Sequence, residues 1–215
     1  MSVIITLFFI LFSIFLLSFY FHSRVLLKNY ALKNKFNSEY TKFYSIIGII
    51  SLYLIPIMNS SLFQDIFPEN FSIFRQLSIW FLILGIIFVV LGIKLYSLAR
   101  KTLHVFDPHK QENNLIKSGI FMVMRFPSYS IMIIVFIGLA FIFDSYLSLI
   151  LCPFLFIILV VKCNFEEKKL YLPKFGIEYE KYVKKVPNRL FPPPYNYVMM
   201  ILTFIILYIG FLNIF

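Results

Sequence analysis

Acidic residues are scarce in this chain, with 10 Asp and Glu among 215 residues against 20 Lys and Arg. Charged residues of both signs reach only 14%, whereas hydrophobic residues reach 60% and Phe alone contributes 28. So few charges cannot cover that much apolar side chain in water. A soluble domain is excluded, and the composition is that of a polytopic membrane protein. Cysteine is nearly absent. Cys152 and Cys163 fall on or beside one predicted helix, about 16 Å apart at the helical rise, which excludes a disulfide between them. The 3 His residues, His22, His104 and His109, are scattered. No metal-ligand spacing exists, so no metal site is expected.

What is present is a series of apolar runs: Val3 to Phe21, Tyr44 to Asn59, Leu77 to Tyr96, Tyr129 to Phe143, Tyr146 to Val161 and Val198 to Phe215. A spanning helix needs roughly 20 apolar residues, with a lower limit near 17. The first, third and sixth runs meet this. The second, fourth and fifth are short. Only Asp144-Ser145 separates the fourth from the fifth, which predicts a tight helical hairpin short of a full crossing. No positive charge precedes the first run and no small-residue cleavage site follows it, so it is expected as an anchor rather than a cleaved signal. The expected fold is all-α. It is a polytopic membrane helical bundle of about five to six transmembrane helices including the short hairpin, with a cytoplasmic C-terminal amphipathic helix.

Charge placement sets the orientation. Every Lys and Arg except Arg75 falls after, or at the end of, the first, third or fifth run. The positive-inside rule places those segments in the cytoplasm and both termini outside. Each basic cluster abuts a span and would meet anionic lipid first, so no nucleic-acid partner is expected. His22 and Lys94 lie at helix ends and are expected as interface anchors. The chain forms one domain over 1–215. Residues 1–96 are scaffold helices, 97–194 the site-bearing half and 195–215 the last span.

Within the site-bearing half, Arg100 to Pro127 is expected to cap the membrane domain, with turns at Asp107-Pro108 and Asn113-Asn114. Glu166 to Leu172 continues the fifth helix into water, and Pro173 ends or kinks it. Phe175-Gly176 turns the chain. Ile177 to Val186 forms a second helix, with Tyr179, Tyr182, Val183 and Val186 at helical spacing. Glu180 and Lys184 make an i,i+4 pair.

Several motifs recur in a definite order. Gly119-Ile120-Phe121-Met122-Val123-Met124-Arg125-Phe126-Pro127-Ser128-Tyr129 leads into the hairpin, and Glu166-Glu167 ends it. Phe175-Gly176-Ile177-Glu178-Tyr179-Glu180-Lys181-Tyr182 and Val186-Pro187 follow. Over about the last half of the chain, this order and spacing resemble the isoprenylcysteine carboxyl methyltransferase family and the related phospholipid methyltransferases. Phe126 stands where the family has His and Phe121 where it has Tyr. Ser130 stands where Gly is common, and Asn114 where many members have His.

The resemblance implies an integral membrane methyltransferase that uses S-adenosylmethionine, with Gly119, Arg125, Pro127, Tyr129, Glu166, Glu167, Tyr179 and Tyr182 at the cofactor site. Arg125 would fork onto the cofactor's carboxylate. At least one of Glu166 and Glu167 would bind its ammonium or ribose hydroxyls. Tyr129, Tyr179 and Tyr182 would line its sulfonium. Gly119 would serve a backbone turn. Plainer readings exist: Arg125 as a positive-inside anchor, the glutamates as a helix end pairing with Lys168 or Lys169, the tyrosines as an aromatic belt. No catalytic residue is assigned, because a carboxylate or thiolate acceptor needs no general base.

The implied acceptor is a lipophilic small molecule or lipid: an isoprenylcysteine carboxylate, a lipid amine or a thiol. The Lys-, Asn- and Ile-rich composition indicates an AT-rich bacterial genome, hence a bacterial inner membrane with the site facing the cytoplasm. Two rivals remain. One is a catalytically degenerate relative that binds lipid or a partner. The other is a membrane oxidoreductase of the steroid-reductase type.

Overall fold

The computed structural model describes residues 2–32, 36–58, 72–105, 115–198, 201 and 204. Helix dominates, and no strand occurs among the described residues. The chain runs α1 (Ser2–Leu32), α2 (Phe36–Met58), α3 (Ser72–Val105), a short 3-10 turn (Gly119–Met122), α4 (Pro127–Ile142) and α5 (Tyr146–Glu166). A π-helical turn (Glu167–Tyr171) then leads to α6 (Leu172–Phe175) and α7 (Ile177–Lys185). Thr6–Leu27, Tyr40–Met58, Ile79–Thr102 and Leu147–Phe175 are long and apolar enough to cross a membrane, whereas α4 is shorter. The expected helical membrane bundle is borne out. The fourth and fifth runs form adjacent helices joined by a tight turn, but only α4 is short: α2 and the helix over Leu147–Phe175 are long enough to cross, because each helix extends beyond its apolar run. The last apolar run falls almost wholly outside the described residues, as do the turns at Asp107-Pro108 and Asn113-Asn114.

α1 packs on α2, and α3 on α4. Small residues permit both contacts, as expected where packing rather than water expulsion drives helix association. A Cβ on Gly85 of α3 would come within 2.7 Å of the Gly138 backbone oxygen on α4. One on Gly48 of α2 would come within 2.7 Å of the Ser18 hydroxyl on α1. α4 is the buried centre, with Ile133, Phe136, Ile137 and Ala140 in the core beside Leu155 and Leu159 of α5. α1 and α3 carry most of the exposed apolar side chains, among them Phe9, Leu17, Ile83 and Ile93. That is the distribution lipid-facing helices need.

Pro173 does not end the helix that begins in the α4–α5 hairpin, which passes through it and stops at Phe175. Pro173 lacks an N–H for the Lys169 carbonyl. The preceding turn widens to π geometry, with the Leu172 N–H donating to the Glu167 carbonyl. Gly176 then takes φ 49° and ψ −126°, a conformation open to glycine, and α7 starts. Tyr179, Tyr182 and Val186 are buried, as their spacing predicts.

Candidate functional site

The Arg125-Phe126-Pro127 segment is fixed from two sides. Pro127 opens α4 at a position that requires no backbone donor. The N–H groups of Arg125 and Phe126 donate to the carbonyls of Asn188 (3.0 Å) and Arg189 (2.9 Å). The Ser130 hydroxyl, one turn into α4, donates to the Leu190 carbonyl at 2.7 Å. The chain after α7 is thus stitched to the start of α4, and both meet the end of α5.

Glu167 lies at the centre of that junction and is 6% exposed. Arg125 Nε and Nη2 both reach its Oε1 at 2.8 Å. The Tyr179 hydroxyl donates to the same oxygen at 3.2 Å, and Arg189 Nε donates to Oε2 at 3.0 Å. Arg125 Nη1 also donates to the carbonyls of Val186 (2.7 Å) and Pro187 (3.1 Å). Four of the five guanidinium N–H groups are therefore engaged. Burial, reinforced by the Glu167 charge against an opposing Arg125, pushes the Tyr179 phenol above its ordinary range and keeps it a donor. Beside it, Tyr182 donates to the Phe121 carbonyl at 2.6 Å. Its phenol is pushed up to about 12, chiefly by burial.

Glu166 faces elsewhere, although it too is 6% exposed. Its Oε1 accepts from the Tyr129 hydroxyl at 2.6 Å and lies 3.9 Å from Lys162 Nζ. Its Oε2 has no hydrogen-bond partner among the described residues. Glu166 lines a cavity of about 300 Å³, at the lower end of ligand-sized pockets. Arg125, Phe126, Pro127 and Tyr129 form one wall of it. α1 and α2 form the opposite wall, with Phe19, His22, Tyr44 and Ser45.

Of the residues singled out in the sequence, Arg125, Pro127, Tyr129 and Glu166 converge on this cavity. Glu167, Tyr179 and Tyr182 belong to the adjoining polar junction instead. Gly119 lies in the 3-10 turn with φ 58°, where a Cβ would meet the Thr102 hydroxyl at 2.3 Å. It joins that turn to the end of α3.

Two residues read as peripheral in the sequence lie at the cavity. Lys162 is buried within α5, and His22 contacts it across the gap from α1. The i,i+4 spacing of Lys162 and Glu166 was a usable signal for the first. Nothing local marks His22. Phe126, at the family's His position, is 6% exposed. Its ring stacks on Tyr129 at 5.9 Å and meets Tyr171 edge-on at 5.8 Å. The site thus offers an unpartnered carboxylate oxygen and several aromatic faces. The Lys162 ammonium, 3.6 Å from the Phe19 ring centroid, already demonstrates that these faces accept a cation.

The phospholipid methyltransferase family model matches residues 73–178, which run from α3 into α7. Those limits take in Gly119, Arg125, Pro127, Tyr129, Glu166 and Glu167 but leave out α1, α2, Tyr179 and Tyr182. No curated protein and no solved structure matches the chain significantly.

Proposed function

Residues 73–178 belong to the phospholipid methyltransferase family, and from that premise we propose that the chain is an S-adenosylmethionine-dependent methyltransferase. It acts on a lipophilic acceptor at the cytoplasmic boundary of the membrane. One observation carries this reading: Glu166, buried and bonded through one oxygen only, presents the other at a cavity walled by Arg125 to Tyr129. That second oxygen keeps accessible surface, because the one fully buried side-chain polar atom without a partner among the described residues is Asp144 Oδ1. It is therefore free to accept from a ligand ammonium or hydroxyl, and the cofactor carries both.

When bound, S-adenosylmethionine supplies a methyl group to a nucleophile, the S–CH3 electron pair remaining on sulfur as S-adenosylhomocysteine leaves. The chain's own residues bind and align. Glu166 Oε2 accepts from the ammonium or a ribose hydroxyl. Tyr129 fixes the Glu166 rotamer through its 2.6 Å bond. Phe126 and Tyr171 give a sulfonium an aromatic wall. Arg125 has at most one N–H left, so it shapes the wall through Glu167 rather than forking onto the cofactor. Alignment and exclusion of water are the main catalytic means here. An isoprenylcysteine-type carboxylate or a thiolate reacts without a general base, whereas a lipid amine must first lose a proton.

Calorimetry of the purified chain with S-adenosylmethionine, S-adenosylhomocysteine and NADPH tests the reading. Saturable binding of the first two supports it. Binding of NADPH alone would replace it with the reductase reading. The orientation is tested separately. A cysteine at Lys181 should resist an impermeant thiol reagent in intact cells, and one at Glu69 should react. The reverse pattern would invert the topology.

The packing of Phe126 favours a second reading. The ring is 6% exposed and packs between Tyr129 and Tyr171 at the cavity wall, where it offers no hydrogen-bonding group. In that case the chain is a catalytically degenerate relative that holds a lipid or a partner in the same cavity. Failure of either cofactor form to bind would select it.

A further inference from the structure

α1 lies outside the stretch that matches the family, yet it forms one wall of the cavity. Lys162, 4% exposed on α5, reaches across to it. Its Nζ lies 3.0 Å from His22 Nδ1, 3.1 Å from Ser23 Oγ and 3.4 Å from the Phe19 carbonyl. An ammonium has three N–H donors and no lone pair, so all three point to α1 and Nδ1 of His22 must accept. A neutral imidazole that accepts at Nδ1 carries its proton at Nε2. A bond received from a cation also polarises the ring and strengthens the remaining donor. The carboxylate of Glu166, 3.9 Å from Nζ, is beyond hydrogen-bond distance and leaves this arrangement intact.

We propose that His22 is a ligand-binding residue of the cavity, its Nε2–H donating to an anionic oxygen on the head of the membrane-borne methyl acceptor. The proposal rests on the methyltransferase reading above, and it assigns the two walls different tasks. Glu166 holds a donor-bearing ligand on the α4–α5 side. His22, backed by the Lys162 charge, holds an oxygen on the α1–α2 side. The exposed outer face of α1, with Leu16, Leu17 and Tyr20, places that wall next to the lipid through which such an acceptor would arrive. Lys162 is a positioning residue, since it acts through His22.

The chain has 3 His, so nitrogen-15 histidine spectra of the full protein in maltoside micelles can follow this ring directly. Oleate and dodecyl phosphate serve as carboxylate and phosphate probes, with dodecylamine as control. The expected result is an Nε2–H tautomer whose resonance shifts saturably with one or both anions and not with the amine. His22→Phe should raise the dissociation constant of the responding probe about tenfold or more, the value of a charge-assisted hydrogen bond. His22→Gln, which keeps a donor, should largely restore it. An Nδ1–H tautomer overturns the proposal, and so does an equal response to dodecylamine or no response to any probe. Calorimetry with S-adenosylhomocysteine on the same sample separates the two readings. Cofactor binding without a His22 response removes only this inference. A His22 response without cofactor binding removes only the methyltransferase reading.

Discussion

Around Glu167, two guanidiniums and a phenol converge on one carboxylate and join the starts and ends of α4, α5 and α7. Around Glu166, one residue earlier, a single phenol and a more distant ammonium leave an oxygen facing a cavity. A helix turns about 100° per residue, so adjacent side chains leave it on different faces. The widened turn that starts at Glu167 exaggerates the divergence, and such π turns are frequent at functional sites. Two neighbouring carboxylates of equal burial can therefore differ completely in role. One is saturated by the protein and holds the fold, while the other is left for a ligand.

The strongest way to break this comparison is Glu167→Ala. It strands Arg125, whose side chain is 3% exposed, without a counter-charge. Removing one partner of a buried ion pair typically costs about 3–5 kcal/mol. The unfolding midpoint in detergent should fall sharply, and any loss of cofactor binding should track the loss of folded protein. Unchanged stability would mean that the junction contributes little to the fold.

Glu166→Gln should do the opposite. The amide keeps the shape and an acceptor for Tyr129, so stability should change little. S-adenosylmethionine binding should weaken by about 1.5–3 kcal/mol, the value of a hydrogen bond to a charged group. Titration calorimetry on both variants completes the comparison. If Glu166→Gln binds like the parent, the unpartnered oxygen does not contact the cofactor.

Phe126→His probes the wall between the two regions. The phenyl ring is packed against Tyr129 and Tyr171, and an imidazole there would be a buried polar group. Without a partner it should cost about 1–3 kcal/mol of stability and bring no gain in affinity. Tighter cofactor binding at unchanged stability would show that the pocket still accommodates the family's residue.

Helices α1 to α5 were legible from apolar run length, because lipid leaves a chain few alternatives to internal hydrogen bonding. The helix ends were less so. α1 continues to Leu32 and α3 to Val105, past the apolar limits at Phe21 and Tyr96, because polar residues extend a helix once it leaves the bilayer. The cavity wall at Arg125, Pro127, Tyr129 and Glu166 was legible from motif order. The division of labour between Glu166 and Glu167 was not, since it depends on the side-chain direction set by a π turn. Lys162 and His22 were read as cytoplasmic charge and interface anchor. Their contact joins residues 140 positions apart, and no local pattern encodes it.

The smallest effect separates the tyrosines of the junction from those of the cavity. Tyr182→Phe removes one hydrogen bond, to the Phe121 carbonyl, and should cost about 0.5–1.5 kcal/mol with cofactor affinity unchanged. Its pH dependence fixes the cause. Burial lifts the folded phenol to about 12, above the value near 10 expected for an unfolded chain. A raised folded pKa means that the neutral donor form is the one the fold stabilises. The contribution is therefore fully present below pH 10 and is lost as pH rises toward and through about 12. The stability gap between parent and Tyr182→Phe should be constant from neutral pH to about 10 and should close above it. Other tyrosines titrate in both proteins and cancel in that difference. A gap that persisted unchanged through pH 12 would assign the loss to packing of the ring rather than to its hydroxyl.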